Sequence, residues 1–252
     1  MINVLLSGCA GRMGRVITEL AAQDPEIEIA AGVDLITPEG CSYPVVTSVD
    51  ECKQDVDVII DFSSPKVFDA ILDFALRTGT ALVVCTTGLD ERQSQRLSEA
   101  SGKIPVLRSA NMSVGINLLI HLLKQAAPVL SKAGFDIEIV EQHHNRKKDA
   151  PSGTALALAD SINEACGGTY HYRYDRSQVY EQREKDEIGI SAVRGGTIVG
   201  IHDVLFAGTD EVIELKHTAY SRAIFAKGAI AAAKYLAGRA AGFYQMSDVI
   251  DG

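Results

Sequence analysis

One segment of the sequence concentrates side chains that transfer protons and bind anions. Residues 138–155 read Glu-Ile-Val-Glu-Gln-His-His-Asn-Arg-Lys-Lys-Asp-Ala-Pro-Ser-Gly-Thr-Ala, between a predicted strand and a predicted helix. Histidine is the side chain whose ordinary pKa best suits proton transfer near neutrality. Free amides and the positive dipole end at the start of a helix favour an anion, to which Lys147 adds charge. The segment therefore predicts acid–base groups beside a site for a carboxylate.

The same segment has two other interpretations. A charged run of this kind is most often a solvated loop whose Ser or Thr caps the next helix, although adjacent histidines are uncommon on ordinary loops. A zinc site usually needs three or four His, Cys or carboxylate ligands, and the sequence places no further candidate nearby. We therefore predict no metal.

A glycine-rich turn near the start of the chain predicts a dinucleotide site. Gly8-Cys9-Ala10-Gly11-Arg12-Met13-Gly14 follows an apolar strand and opens a helix, where backbone amides approach a pyrophosphate. Asp34 ends the next predicted strand, about 20 residues after the last glycine, which is the usual place of the acid that binds the adenosine ribose. Because Leu35 rather than an arginine follows Asp34, we expect NADH to be preferred, with NADPH also possible.

Two later strand ends carry small hydroxyl residues. Phe62-Ser63-Ser64-Pro65 and Cys85-Thr86-Thr87-Gly88 each follow a predicted strand, and ligands of open α/β sheets bind at such ends. These residues are equally typical of helix caps and turns.

The spacing of apolar residues predicts an α/β chain with two domains. In the first half, predicted strands at 2–7, 27–33, 56–62 and 81–85 alternate with helical or turn segments, which is typical of a Rossmann-type parallel sheet. In the second half, predicted helices at 115–130, 153–165 and 224–236 accompany strands at 135–142, 188–194, 197–206 and 211–218. This second pattern favours an α+β domain with a mixed or antiparallel sheet. We predict a dinucleotide-binding domain over 1–112, onto which 222–252 packs back, and a substrate domain over 113–221.

Composition limits the classes of partner. A formal net charge of −9 argues against a nucleic-acid surface. Five cysteines without C-x-x-C spacing indicate reduced thiols. The first residues do not form a signal peptide, and we expect no run that approaches the roughly 20 apolar residues of a membrane span. The prediction is a cytoplasmic protein with no membrane or nucleic-acid partner.

The segment 138–155 resembles the signature of the 4-hydroxy-tetrahydrodipicolinate reductase family, also called dihydrodipicolinate reductases. The glycine turn, Asp61-Phe62-Ser63-Ser64-Pro65, Cys85-Thr86-Thr87-Gly88 and Ala110-Asn111-Met112-Ser113-Val114-Gly115-Ile116-Asn117 resemble that family's cofactor-side motifs in the same order. The resemblance therefore covers nearly the whole chain.

The resemblance implies an NAD(P)H-dependent oxidoreductase of diaminopimelate and lysine biosynthesis, which reduces a cyclic dicarboxylate to tetrahydrodipicolinate. It implies His143 as the acid/base group and Lys147 as the proton donor. It also implies a homotetramer in which the second domains, besides binding substrate, join the subunits. The implied substrate contacts are His144, Ser152, Gly153 and Thr154. The implied cofactor contacts are Gly8, Cys9, Ala10, Gly11, Arg12, Met13, Asp34, Cys85, Thr86, Thr87, Ser109, Ala110, Asn111 and Met112.

Three positions depart from the family pattern, and two other functions compete. Cys85 stands where Gly is more frequent and therefore has to avoid positive φ. Ile201 replaces an acid, and Tyr220 interrupts a Ser-Ser-Arg run. The competing functions are another two-domain NAD(P)-dependent dehydrogenase of amino or imino acids, and a dinucleotide sensor without catalysis. A sensor is expected to lack His143 or Lys147, and both are present.

Overall fold

A computed structural model describes residues 1–252 of the chain. The chain folds into two compact units. We call the first unit Met1–Val114 together with Ala223–Gly252, and the second unit Gly115–Arg222.

The first unit is built on a seven-stranded sheet whose strands all run parallel. The strands are β1 (Ile2–Ser7), β2 (Ile27–Val33), β3 (Val45–Val46), β4 (Val58–Asp61), β5 (Ala81–Val84), β6 (Pro105–Arg108) and β12 (Gly242–Tyr244). The order across the sheet is β3-β2-β1-β4-β5-β6-β12. Between β1 and β4 the chain reverses its direction of travel across the sheet, and open α/β sheets bind ligands beyond such a point.

Helices cover both faces of this sheet because its strands are apolar on both sides. One face packs Leu6 and Ile60 against α1 (Arg12–Ala21) and α6 (Ala223–Leu236). The other face packs Leu5 and Ile59 against α2 (Pro65–Thr78) and α3 (Glu91–Ala100). The last helix, α7 (Met246–Asp251), adds the buried Met246 to the first of these cores.

The second unit has a five-stranded mixed sheet in the order β11-β10-β7-β9-β8. Its strands are β7 (Asp136–His143), β8 (His171–Tyr174), β9 (Glu187–Arg194), β10 (Gly200–Ala207) and β11 (Val212–Ala219). The pairs β7–β9 and β8–β9 are parallel, whereas β7–β10 and β10–β11 are antiparallel. Helices α4 (Val114–Lys132) and α5 (Gly153–Ala165) contribute buried residues to the same core as this sheet.

The predicted fold class is confirmed: a Rossmann-type parallel sheet accompanies an α+β unit with a mixed sheet. The short strands β3, β6, β8 and β12 and helix α7 escaped prediction. The strand predicted at 197–206 begins three residues later, at Gly200, because Thr197 belongs to the turn before it, together with Gly196.

Helix α4 contradicts the expectation that no segment approaches the length and apolarity of a membrane span. It is 19 residues long and contains an 18-residue window with a mean hydropathy of 1.3, so it meets that criterion by length and composition alone. One face of α4, with Leu119, Leu123 and Ala127, lies in the core of the second unit. A core helix of a globular domain meets the same criterion.

Candidate active site

The glycine turn of the first unit is held open for a ligand by backbone geometry. Gly8 adopts a φ of 81°, and its amide donates to the carbonyl of Val33. A Cβ at Gly14 would lie 2.3 Å from the carbonyl oxygen of Gly8, so only glycine fits there. Gly11 caps α1 without any side-chain hydrogen bond. The amides of the first helical turn therefore remain available to an anion.

Asp34 lies beside this turn. Its Oδ2 accepts from the Ala10 amide at 2.9 Å, and its Oδ1 accepts from the Leu35 amide at 2.8 Å. Both bonds come from backbone, so the carboxylate is fixed in direction without a basic side chain. It can accept further hydrogen bonds from hydroxyl groups.

A buried carboxylate organises the ends of β4 and β5. Asp61 is fully buried, and it accepts hydrogen bonds from the hydroxyls of Ser63 and Thr86. Burial raises the pKa of Asp61, while these hydrogen bonds oppose the shift. Thr86 also accepts from the Ser63 amide at 3.0 Å. These two hydroxyls therefore join the two strand ends, and neither caps a helix.

A cavity of about 600 Å³ lies in the first unit at these strand ends. The predicted cofactor residues in its lining are Met13, Cys85, Thr86, Thr87, Ser109, Ala110 and Met112. The C-terminal residues Phe225, Phe243 and Gln245 complete the lining, and nothing in their local sequence marks them. Cys85 avoids positive φ, as its identity requires, and burial raises the pKa of its thiol well above the ordinary value.

In the second unit, the end of β7 carries a buried histidine–carboxylate pair, an arrangement suited to proton transfer. His143 Nδ1 lies 2.5 Å from Oε2 of Glu141, and Glu141 is fully buried. Arg194 bonds the same carboxylate through both terminal nitrogens, at 2.8 and 2.6 Å. Burial is the largest influence on His143 and lowers its pKa, although the bond to Glu141 opposes this. His143 is therefore neutral near pH 7.

Helix α5 begins beside this pair. The Ser152 amide donates to Oε1 of Glu141 at 2.9 Å, and the Ser152 hydroxyl accepts from the Ala155 amide. The same hydroxyl lies 2.9 Å from His202 Nε2. Burial lowers the pKa of His202 to about 4, so this imidazole is neutral as well.

Lys147 belongs to the loop between β7 and α5. Its Nζ lies 2.9 Å from an Asp149 carboxylate oxygen, and its side chain is 22% exposed. The Asp149 carbonyl accepts from Arg194. The neighbouring His144 has a buried Nδ1 without a hydrogen-bond partner. The loop thus presents a partly exposed ammonium group next to the helix end.

Comparison with known proteins identifies the family. The family model "Dihydrodipicolinate reductase, N-terminus" matches residues 2–112, and "Dihydrodipicolinate reductase, C-terminus" matches residues 115–250. The chain belongs to the dihydrodipicolinate reductase family. This confirms the family predicted from the signature at 138–155.

Relatives in the family cover the chain almost completely. A 4-hydroxy-tetrahydrodipicolinate reductase of Caldanaerobacter subterraneus subsp. tengcongensis is 50% identical over 99% of this chain and 98% of its own length. A Clostridium novyi protein with the same name is 45% identical with the same coverage. Among solved structures, dihydrodipicolinate reductase from Paenisporosarcina sp. TG-14, with dipicolinate bound, shares the fold with a TM-score of 0.82. It is 23% identical and 97% of each chain is covered.

The structure brings the predicted residues into two groups, one in each unit. The residues predicted to bind cofactor lie at the glycine turn, at Asp34 and at the ends of β5 and β6. The residues predicted to act on substrate lie at the end of β7, in the following loop and at the start of α5. Sequence analysis assigned no role to Glu141, and it missed Arg194 and His202, which lie on other strands.

One further group of potential metal ligands lies outside these groups. His171, Glu184 and Asp186 have ligand atoms within 4.8 Å of one another. His171 Nε2 is 3.2 Å from a Glu184 oxygen, and both side chains are solvated. We describe this cluster as a surface ion pair with a second acid beside it.

Proposed function

We propose that this chain reduces 4-hydroxy-tetrahydrodipicolinate to tetrahydrodipicolinate with NAD(P)H, in the diaminopimelate route to lysine. The observation that carries the proposal is the group at the end of β7, where His143, Lys147 and the start of α5 combine proton-transfer groups with an anion site. Membership of the family and the name shared by its relatives support the same reaction.

The first unit is suited to a dinucleotide. The glycine turn leaves backbone amides for the pyrophosphate, and Asp34 offers carboxylate oxygens to ribose hydroxyls. The nicotinamide end would occupy the cavity lined by residues 85–87, Ser109, Ala110 and Met112, whose backbone groups offer hydrogen-bond partners. When bound, the reduced nicotinamide supplies a hydride to the electrophilic ring carbon of the substrate. We propose a preference for NADH, because a 2′-phosphate would be repelled by Asp34 and Leu35 supplies no cation.

The second unit would bind and protonate the substrate. Ser152, Gly153 and Thr154 begin α5, and we propose that they hold a substrate carboxylate at the helix end, with His144 as a further contact. The 4-hydroxyl group leaves the substrate as water, which gives a cyclic imine-enamine; Lys147 then donates the proton that the enamine carbon takes up, and solvent reprotonates its amine. His143 serves as the acid/base group. The dipicolinate bound to the structural relative is a dicarboxylate, which is consistent with an anion site at the start of α5.

We further propose a cytoplasmic homotetramer. The five cysteines are all unpaired, which fits a reducing compartment. The outer strand β11 leaves Val212 and Ile213 exposed, and β9 leaves Val193 exposed, so the second unit has apolar surface for contacts between copies.

The test is consumption of NADH and NADPH with substrate generated in place from pyruvate and aspartate semialdehyde by the corresponding synthase. We expect wild-type turnover with both cofactors and a higher kcat/KM for NADH. In Lys147→Ala, kcat should fall by about 100-fold or more, which is the range of a lost general acid.

Lys148→Ala is the matched control, because Lys148 is the adjacent, exposed lysine and should retain wild-type turnover. If the wild type binds NADH tightly but consumes neither cofactor, the reductase is excluded. Turnover with an amino or imino acid in its place would indicate the alternative dehydrogenase, and no turnover would indicate the sensor.

A further inference from the structure

Glu141 is fully buried, and its two carboxyl oxygens accept three hydrogen bonds and face the ring of His143. Its Oε1 accepts from Arg194 Nη2 and from the Ser152 amide, while its Oε2 accepts from Arg194 Nη1 and faces His143 Nδ1. These three donors, two of them from a permanently charged guanidinium, stabilise the ionised form of the carboxyl group. Burial alone would raise the pKa of Glu141, but the bonds from Arg194 and His143 lower it below its ordinary value.

The ionised carboxylate determines the tautomer of His143. Since it can only accept, the proton between Glu141 and His143 belongs to Nδ1. A neutral imidazole then has a bare Nε2, which is an acceptor. Glycine at position 200 leaves room at that nitrogen, because a Cβ there would lie 3.1 Å from His143 Nε2.

Arg194 connects this carboxylate to the loop that carries Lys147. The parallel register of β7 and β9 places Arg194 opposite His143. From there Nη2 donates at 2.6 Å both to Glu141 and to the Asp149 carbonyl, and the Asp149 side chain pairs with Lys147. One guanidinium thus holds the partner of the histidine and the partner of the lysine.

We propose that Glu141 is a positioning residue, which fixes His143 with Nε2 as a hydrogen-bond acceptor, and that Arg194 holds Glu141 and the Lys147 loop in register. This assignment rests on the proposed reductase function. It divides the work of the two groups near neutral pH: His143 accepts a hydrogen bond or proton, and Lys147 is the group that donates.

The first experiment is a ¹⁵N NMR measurement of the imidazole nitrogens in the wild type. The chain has six histidines, and the His143 signals are assigned by their loss in His143→Gln. We expect a protonated Nδ1 and a bare Nε2 near neutral pH. A wild-type His143 protonated on Nε2 overturns the proposal. This measurement needs no turnover, so it still decides the proposal if the reductase function fails or if a Glu141 variant does not fold.

The second experiment is Glu141→Gln, which retains the shape and exchanges one acceptor for a donor. An amide nitrogen at the Oε1 position would meet two donors, from Arg194 and Ser152, whereas at the Oε2 position it would meet only one donor and could donate to His143. We therefore expect the variant to protonate His143 on Nε2. Loss of the correct tautomer should lower kcat by about 100- to 10,000-fold, with the Kd for NADH unchanged.

Glu138→Gln is the matched control, because Glu138 lies on the same strand and pairs with another arginine, Arg183, at 3.0 Å. It should leave both the His143 tautomer and kcat at their wild-type values. The proposal is overturned if Glu141→Gln folds but retains protonated Nδ1, or if its kcat matches that of Glu138→Gln. If Glu141 only stabilised the fold, its substitution would change the unfolding midpoint but not the His143 tautomer. The tautomer therefore distinguishes a positioning role from a purely structural one.

Discussion

The two predicted binding regions are built from different parts of the chain. The glycine turn and the cavity of the first unit present mainly backbone groups, and their side-chain hydroxyls are used internally by Asp61. The region at the end of β7 instead depends on side chains, joined by the buried carboxylate of Glu141. The first region should therefore tolerate most side-chain substitutions, but not those that add atoms where the backbone packs closely. The second should respond to single changes of charge or hydrogen bonding.

Filling the space at Gly14 should have the largest effect and would break the first region. In Gly14→Ala the new Cβ would lie 2.3 Å from the Gly8 oxygen and 2.6 Å from the Cys9 Cα. The turn must move, and we expect NADH affinity to fall by about 100-fold or more, roughly 3 kcal/mol. Fluorescence titration with NADH measures this.

Gly102→Ala is the matched control, since its Cβ would meet the Glu99 carbonyl at 3.4 Å, an ordinary contact. NADH affinity should stay at the wild-type value in this variant. Equal affinities in the two variants would contradict the view that the turn needs its glycines for space.

Acid should weaken the second region through His202. Its folded pKa is about 4 against an ordinary 6.5, with burial as the largest cause. Between those pH values the unfolded chain binds a proton that the folded chain does not, so the stability contributed at neutral pH is lost as pH falls. The loss should reach roughly 2 kcal/mol at about pH 5.

The measurement is the free energy of unfolding in urea at several pH values, for the wild type and for His202→Asn. The variant also loses the bond to Ser152, but that loss is nearly independent of pH. The difference between the two proteins should therefore shrink as pH falls from about 7 to about 5. A constant difference would show that His202 titrates normally.

The smallest effect is expected at the N-cap position of a helix. It sharpens the comparison because each unit has a serine at such a position. Ser152 accepts from the Ala155 amide, whereas Ser64 at the start of α2 makes no capping hydrogen bond. Ser152→Ala should cost about 1 kcal/mol of stability, and Ser64→Ala only a few tenths. Ser152→Ala should also raise KM for the substrate without changing the Kd for NADH. Equal stability losses would contradict this difference.

The regions differ in how far sequence could predict them. The glycine turn and the His143–Thr154 segment are each continuous in the chain, so residue type and spacing were sufficient to select them as candidate sites. Arg194 and His202 reach the site only through strand pairing, where Arg194 lies opposite His143 and His202 opposite Glu141. No pattern within a single segment of the sequence shows which residues face each other across paired strands. The strands β3 and β12 were missed because two or three residues are too few to show alternation.

The hydroxyl residues after β4 and β5 show another limit of local patterns. Ser63 and Thr86 fitted both a cofactor site and a helix cap. Their actual partner, Asp61, was itself part of a recognised motif, but burial of a carboxylate cannot be read from residue order.

The discontinuity of the first unit has a consequence for synthesis on the ribosome. Helix α6 and strand β12 belong to the core and sheet of that unit, yet they are translated only after the whole second unit. The second unit is continuous, from Gly115 to Arg222, and so it is complete before the unit that begins the chain. Domains generally fold as they emerge, and here one apolar face of the N-terminal sheet stays partly uncovered, with α1 alone on it, until α6 is translated. In a released chain that ends at Arg222, the second unit should therefore resist protease while the first remains open to cleavage.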